Sequence, residues 1–137
     1  MRVVGLDLGS RRIGVAVTDT SGTLASPERV VARTGDEDRD RAAIGAVVDE
    51  LGAERVVVGL PLSLDGSDGP AARAARAEAE VLAEVLPVPV ELWDERLTTV
   101  SADRDLMALR MKADARRRVV DKVAAAVMLQ SWLDAHG

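Results

Sequence analysis

The sequence has no cysteine, phenylalanine or tyrosine, and it has only one histidine and two tryptophans. Without cysteine there can be no disulfide bond, thiolate zinc site or cysteine nucleophile. No apolar run reaches the length of about 18 residues that a membrane-spanning helix needs, and the first residues lack the pattern of a signal peptide. We therefore expect a cytoplasmic protein with no membrane partner.

The composition is that of one compact domain covering residues 1–137. Hydrophobic residues make up 47% of the chain and charged residues 30%, which is enough apolar material for one sizeable core. No internal repeat or linker divides the chain. The net charge is −5, so any binding of nucleic acid has to come from a local basic patch.

The first 17 residues predict a strand, a tight turn and a second strand. Residues 3–8 and 13–17 are apolar runs of strand-forming residues, and the turn between them contains Gly9. Asp7 interrupts the first run. Because an isolated carboxylate loses much free energy away from water, Asp7 must lie at an open end of the sheet, be paired, or hold a cation.

The remaining pattern predicts an α/β domain, with a five-stranded mixed sheet and helices on both of its faces. Pro27 favours an edge position for the third strand, and the valine-rich fourth strand favours a buried, parallel position. The further predicted strands are 24–32, 55–61 and 88–95; the predicted helices are 36–51, 70–86, about 98–111 and 119–135, with a basic connector at 112–118 before the last helix.

Three carboxylates are placed to meet at one edge of this sheet. If the first and fifth strands run parallel and adjacent, Asp7 and the Asp94-Glu95 pair reach the same edge, where ligands bind in open α/β sheets. Asp94 and Glu95 point to opposite faces by strand alternation, so only one of them serves the site. Asp121 shares a helix face with four apolar residues (Ala124, Ala125, Met128 and Trp132), which excludes a purely solvated helix-terminal charge.

A site of carboxylates without cysteine or histidine suits Mg²⁺ or Mn²⁺ rather than zinc. Two such ions about 3.5–4 Å apart can clamp the attacking and leaving oxygens of a phosphodiester. Water then attacks the phosphorus, and no side-chain nucleophile is needed. His136 lies one residue from the end of the sequence, and we interpret it as a frayed residue without a role.

Four motifs, in order, resemble the YqgF family, also called the RuvX or Holliday-junction-resolvase-like family, of the ribonuclease-H-like superfamily. The resemblance covers essentially the whole chain. The motif with the highest specificity is Asp94-Glu95-Arg96-Leu97-Thr98-Thr99. The others are Gly5-Leu6-Asp7-Leu8-Gly9-Ser10 with the strand after it, Val58-Gly59-Leu60-Pro61 with the loop at 65–69, and Asp121-Lys122-Val123-Ala124-Ala125 with 129–133.

This resemblance implies a ribonuclease-H-like fold and a metal-dependent nuclease that processes the 5′ end of precursor 16S rRNA in ribosome biogenesis. Carried over residue by residue, Asp7, Glu95 and Asp121 fall on the acidic triad of the family, which selects Glu95 over Asp94. Ser63 departs from the asparagine that the family often has at its position, although serine still donates a hydrogen bond.

Three other functions stay open at this point. One is a Holliday-junction resolvase in DNA recombination or repair, and a second is a nucleic-acid-binding module without catalysis. The third is an ATP-binding domain of the actin and sugar-kinase type, because the first motif also resembles their first phosphate loop. Such proteins enclose the nucleotide between two domains, and 137 residues supply one.

Basic residues near the proposed triad are the candidates for contact with nucleic acid. They either hold a phosphate backbone or are solvated arginines paired with nearby carboxylates. We expect structured RNA, branched DNA or ribosomal precursor particles as partners, and a monomer or weak homodimer. The candidates are Arg11, Arg12, Ser63, Arg96, Arg116, Arg117, Arg118 and Lys122.

Overall fold

The computed structural model describes residues 1–63, 65–97 and 113–136, apart from the side chains of Leu97 and residues 113–121. The predicted helix at about 98–111 lies outside these residues. The strands are β1 (Val3–Leu8), β2 (Arg12–Thr18), β3 (Ala25–Ala32), β4 (Arg55–Leu60) and β5 (Val90–Asp94); the helices are α1 (Glu37–Glu50), α2 (Pro70–Val85) and α3 (Ala113–His136), with a 3₁₀ turn at Glu95–Leu97.

The five strands form one mixed sheet in the order β3-β2-β1-β4-β5. β1 to β3 are antiparallel neighbours, whereas β4 runs parallel to both β1 and β5. The edge position of β3 is confirmed. The expected adjacency of the first and fifth strands is wrong, because β4, whose residues 56–60 are all buried, takes the place between them. The carboxyl ends of β1, β4 and β5 nevertheless lie at one edge of the sheet.

The sheet separates two layers of core, so the prediction of helices on both faces is confirmed. α1 and α2 cover one face with Ile44, Val48 and Leu82, which pack on Val4, Leu6, Val56 and Val58. α3 covers the other face with Ala125, Met128, Leu129 and Trp132, which pack on Val3, Ala16 and Val57. Among the described residues, no helix is long and apolar enough to cross a membrane.

The last helix begins earlier than the sequence pattern predicts. α3 starts at Ala113, so the expected basic connector at 112–118 is wrong from residue 113 onward. Alanine and arginine are among the best helix formers, and residues 113–118 contain no glycine or proline that would end a helix. Arg116, Arg117 and Arg118 therefore belong to α3.

The expectation that His136 is a frayed residue is wrong, since it belongs to α3 and packs against two indole rings. Its ring stacks on Trp132, with centroids 4.5 Å apart, and meets the edge of Trp93 at 5.4 Å. The imidazole Nδ1 lies 2.8 Å from the carbonyl oxygen of Trp132. These contacts order the final turn of the helix, which a frayed end would lack.

Gly5 sets how closely α3 approaches the sheet, and its substitution tests that packing. A Cβ at Gly5 would lie 2.9 Å from Leu129 Cβ and 3.3 Å from the carbonyl oxygen of Ala125. We expect Gly5→Ala to lower the free energy of unfolding by about 1–3 kcal/mol, because the helix must shift. Gly45→Ala, inside α1 with its nearest contact at 3.6 Å, should raise it by about 0.5–1 kcal/mol. Urea denaturation measures both; a neutral Gly5→Ala would contradict the packing.

Asp19 closes the loop between β2 and β3 and makes stability depend on acid pH. Its carboxylate accepts hydrogen bonds from Thr23 N at 2.8 Å and from the hydroxyls of Ser21 and Thr23 at 2.9 Å. These donors hold the pKa of Asp19 far below its ordinary value. The stabilisation is therefore present above the unfolded pKa, near 3.8, and is lost as pH falls further toward the folded value.

We therefore expect the free energy of unfolding to fall as pH drops below about 4, and Asp19→Asn to reduce that dependence. Chemical denaturation at a series of pH values measures the slope. Asp49→Asn is the control, since within the described residues the Asp49 side chain accepts no hydrogen bond. An unchanged slope in Asp19→Asn would show that this loop does not contribute.

Candidate active site

Asp7 stands near the carboxyl end of β1 with a glycine on each side of it in the sheet. Gly14 of β2 pairs with Asp7 directly. Gly59 of β4 follows when the β1–β4 register is continued by one residue beyond Leu6 and Val58. Val3 packs in the α3 layer and Gly5 contacts Leu129, so alternation places Asp7 on the α3 face. Asp7 is half-buried, and its two neighbours across the strands, Gly14 and Gly59, have no side chains.

Glu95 reaches Gly59 from the other side of β4. A Cβ built on Gly59 would lie 2.6 Å from Glu95 Oε1 and 3.1 Å from its Cγ and Cδ. The carboxylate therefore occupies the space that a side chain at residue 59 would fill. Since neighbouring strands are about 4.8 Å apart, the carboxylate over Gly59 lies beside Asp7. Although β4 lies between β1 and β5, the missing side chain at Gly59 lets the Glu95 carboxylate reach over β4 toward Asp7.

Asp94 and Glu95 are divided as alternation predicts. Asp94 follows Leu92, which packs in the α1–α2 layer, so its side chain leaves the sheet on that face. It forms an ion pair with Arg96, with Nη2 2.7 Å from Oδ2. Hydrogen bonding from Arg96 holds the pKa of Asp94 below its usual value. Glu95 is therefore the carboxylate of this pair that lies on the Asp7 side.

Asp121 is described by its backbone only. Ala125 and Leu129 of α3 contact Gly5 in the middle of β1. Further along the helix, Trp132 and Leu133 line a cavity at the amino-terminal end of β1, together with Met1 and Val3. α3 therefore runs antiparallel to β1. Position 121 lies one turn before Ala125, and Asp7 lies two residues after Gly5, which are similar advances of about 6 Å toward the same edge. Helix and strand geometry thus bring position 121 level with Asp7.

The carboxylates match the donor chemistry of a divalent metal, because oxygen ligands suit Mg²⁺ and Mn²⁺. Within the described side chains, no group of three or more carboxylates or histidines is arranged so that it could hold a metal ion. A third ligand from Asp121 falls outside that description, so a three-carboxylate set remains a prediction.

The candidate phosphate contacts are divided between the two faces of the sheet. Arg12 alternates with Ile13 of the α1–α2 layer and so lies on the Asp7 face, half-buried at the start of β2. Arg11 instead lines a cavity of about 670 Å³ on the other face, beside Gly9 and Arg33. Arg33 is bound there by both oxygens of Glu78, at 2.9 and 3.0 Å. Arg11 and Arg12 therefore do not form one patch.

The other candidate phosphate contacts lie in the loop after β4, in the 3₁₀ turn and on α3. Ser63 is exposed in the loop after β4, at the same sheet edge, and Lys122 is half-buried on α3. The guanidinium group of Arg96 donates hydrogen bonds to the Asp94 carboxylate. For Arg116, Arg117 and Arg118 only the backbone is described; residue 117 lies one turn before residue 121 on the same row of the helix.

Sequence reasoning did not find the structural importance of Gly59, Asp94 and Arg96. In the sequence Gly59 stands out only as part of a motif, although a glycine inside a strand is a signal for a close approach. Strand alternation marks Asp94 only as the alternative to Glu95. Its position two residues before an arginine at the end of a strand is typical of a carboxylate that bonds the backbone two residues on.

The sequence is similar to curated proteins from several bacteria. A protein of Myxococcus xanthus is 51% identical over 99% of this chain and 89% of its own length. A protein of Geobacillus kaustophilus is 44% identical over 98% of both chains. Each carries the name "Putative pre-16S rRNA nuclease".

Solved structures with a similar fold include RuvC of Thermus thermophilus in complex with a Holliday junction substrate. Its TM-score is 0.63 at 16% identity, over 99% of this chain and 96% of that one. This likeness confirms the ribonuclease-H-like fold. A hexokinase of the same organism has a TM-score of 0.50 at 26% identity, but the match covers only 38% of its length. The kinase likeness is therefore to one part of a larger protein.

One family model matches residues 1–135, nearly the whole chain, and its description is RuvX, Holliday junction resolvase. Together with relatives above 40% identity along their length, this match confirms the expected membership: the chain belongs to the RuvX family.

Proposed function

We propose that this protein is a divalent-metal-dependent nuclease that hydrolyses phosphodiester bonds in structured RNA, with precursor 16S rRNA as its substrate. The observation that carries the proposal is the meeting of Asp7 and Glu95 on one face of the sheet, across Gly59. Two carboxylates at neighbouring positions favour a cation between them, because like charges repel.

Asp7, Glu95 and Asp121 would hold Mg²⁺ or Mn²⁺ at this edge. Bound there, the ion supplies positive charge for the phosphate oxygens and lowers the pKa of water. Asp7 belongs to a strand that is paired on both sides, so the backbone that carries its carboxylate is held in place. Glu95 comes from a 3₁₀ turn and lies over Gly59, so its position depends on the contacts of that turn.

Cations on the same face would bring the phosphate backbone to the carboxylates. Arg12 lies on the Asp7 face, and Lys122 follows Asp121 on α3. Arg116, Arg117 and Arg118 extend the same helix beyond the sheet edge by a turn or more. Such a local group of cations gives an acidic protein the phosphate contacts that binding requires.

The choice of RNA over DNA is supported by the names of the relatives. The second candidate substrate is a four-way DNA junction, which is favoured by the description of the family model and by the substrate in the RuvC structure. A resolvase makes paired cuts as a symmetric dimer. The two substrates therefore differ in an observable product and in the oligomeric state that they require.

The proposal predicts that the purified protein cleaves precursor 16S rRNA when Mg²⁺ or Mn²⁺ is present, and that a chelator stops cleavage. Asp7→Asn should lower the rate by about a thousandfold or more, because a ligand charge worth several kcal/mol is removed. Its fold should be retained, since the change preserves shape and reduces repulsion. Gel analysis of labelled RNA, with a four-way DNA junction in parallel, measures the outcome.

Asp49→Asn, a carboxylate change on α1 away from this edge, is the control and should cleave at the wild-type rate. Full activity in Asp7→Asn would identify a contaminating nuclease and contradict the proposal. Metal-dependent paired cuts in the junction, with no cleavage of the RNA, would replace the RNA substrate by DNA. Binding without cleavage under all conditions would indicate the non-catalytic module.

A further prediction concerns Gly59. In Gly59→Ala the new Cβ would overlap Glu95 Oε1, and the flexible glutamate rather than the backbone would move. We expect the rate of cleavage to fall by about a hundredfold, since a displacement of about 1 Å at the chemistry has that effect. The free energy of unfolding should change little. Gly45→Ala, the same substitution in α1, should retain activity; a fully active Gly59→Ala would exclude this position for Glu95.

A further inference from the structure

Asp94 makes two kinds of contact with Arg96. Its Oδ1 accepts the backbone N–H of Arg96 at 2.9 Å, which closes the 3₁₀ turn that carries Glu95. Its carboxylate also binds the guanidinium group through both oxygens, with Nε 3.1 Å from Oδ1 and Nη2 2.7 Å from Oδ2. The residue between the two partners is Glu95, so its backbone is held from both sides.

The guanidinium group of Arg96 also lies against the loop between β4 and α2. A Cβ on Gly66 would be 3.2 Å from Arg96 Nη1 and 3.7 Å from its Cζ and Nη2. Gly66 has a φ of +88°, and its N–H donates to the carbonyl oxygen of Ser63 at 2.8 Å. The hydrogen bond to Asp94 raises the pKa of Arg96, and the negative charge of Asp65 raises it further by a smaller amount.

We propose that Asp94 and Arg96 are positioning residues that hold the Glu95 carboxylate over Gly59 and join it to Gly66 of the β4–α2 loop. This inference rests on the proposed metal-dependent nuclease function. Arg96 then acts through Glu95 and the loop, and the earlier expectation that it contacts phosphate is replaced. Asp94, which does not share the Asp7 face, acquires a role without binding the metal.

The physical reason is the short 3₁₀ turn itself. Three residues with one cap have little stability of their own, and Glu95 has three rotatable side-chain bonds. A bidentate arginine–carboxylate pair fixes the orientation of both partners, because two parallel hydrogen bonds define a plane. Partners that orient metal-binding carboxylates in this way typically change metal affinity or activity by about 10–100-fold when they are removed.

The experiment compares Asp94→Ala, Arg96→Gln and the double variant with the wild-type protein. The measured quantities are kcat and KM for RNA cleavage, the Mg²⁺ concentration that gives half the maximal rate, and Mn²⁺ affinity by calorimetry. Each single variant should raise the Mg²⁺ midpoint and the Mn²⁺ dissociation constant by about tenfold or more and lower kcat, with KM for RNA little changed. The double variant should be no worse than either single one.

Glu91→Ala is the matched control. Glu91 lies on the same strand, three residues before Asp94, and pairs with Arg55 at 2.9 Å with about a third of each side chain exposed. It lies toward the opposite end of β5, so its loss should leave the metal midpoint and kcat unchanged. Urea denaturation of every variant separates a general loss of stability from an effect on the site.

A phosphate contact by Arg96 would give a different pattern. Arg96→Gln would then raise KM and weaken the salt dependence of binding without moving the Mg²⁺ midpoint, and Asp94→Ala would leave the rate unchanged. Either result overturns the positioning role. If the wild-type protein binds Mn²⁺ but cleaves no nucleic acid, the proposed function fails alone, and Mn²⁺ affinities of the variants still decide this inference. Absence of Mn²⁺ binding by the wild-type protein overturns both.

Discussion

The placement of two carboxylates on one face of the sheet is the constraint on which the site depends. Asp7 lies on β1 and Glu95 on the turn after β5, and a side chain at residue 59 of the intervening β4 would occupy the space of the Glu95 carboxylate. Gly14 and Gly59 remove the side chains on both sides of Asp7. The cost of this arrangement is repulsion between like charges, which a divalent cation would offset.

Small residues also determine the second layer of the site. α3 lies directly on Gly5, with Leu129 and the Ala125 backbone in contact with it, and larger residues there would lift the helix from the sheet. The same approach brings residue 121 level with Asp7. The packing of the core and the geometry at the sheet edge therefore both depend on how closely α3 approaches β1.

An acidic protein that binds nucleic acid has to separate its cations from its own carboxylates. Much of the arginine in the described residues is paired: Arg33 with Glu78, Arg55 with Glu91 and Arg96 with Asp94. Such pairs support the fold or position a neighbour but offer little net charge to a phosphate. Arg12 differs, because it lies on the Asp7 face at the start of β2, and the arginines of α3 continue from the same edge.

The sequence by itself determined the alternation of strands and helices, the mixed sheet, the edge position of β3 and the division of Asp94 and Glu95 between two faces. These features depend on local periodicity, which neighbouring residues specify. Only the tertiary structure decided that β4 lies between β1 and β5, that the Glu95 carboxylate lies over Gly59, that Arg96 pairs with Asp94 and lies against Gly66, and that His136 packs on two tryptophans. Trp132 is one helical turn before His136, but the other partners belong to strands and loops distant in sequence or meet through the turn after β5. These contacts depend on strand order and on which side chains are absent, and no local pattern contains that information.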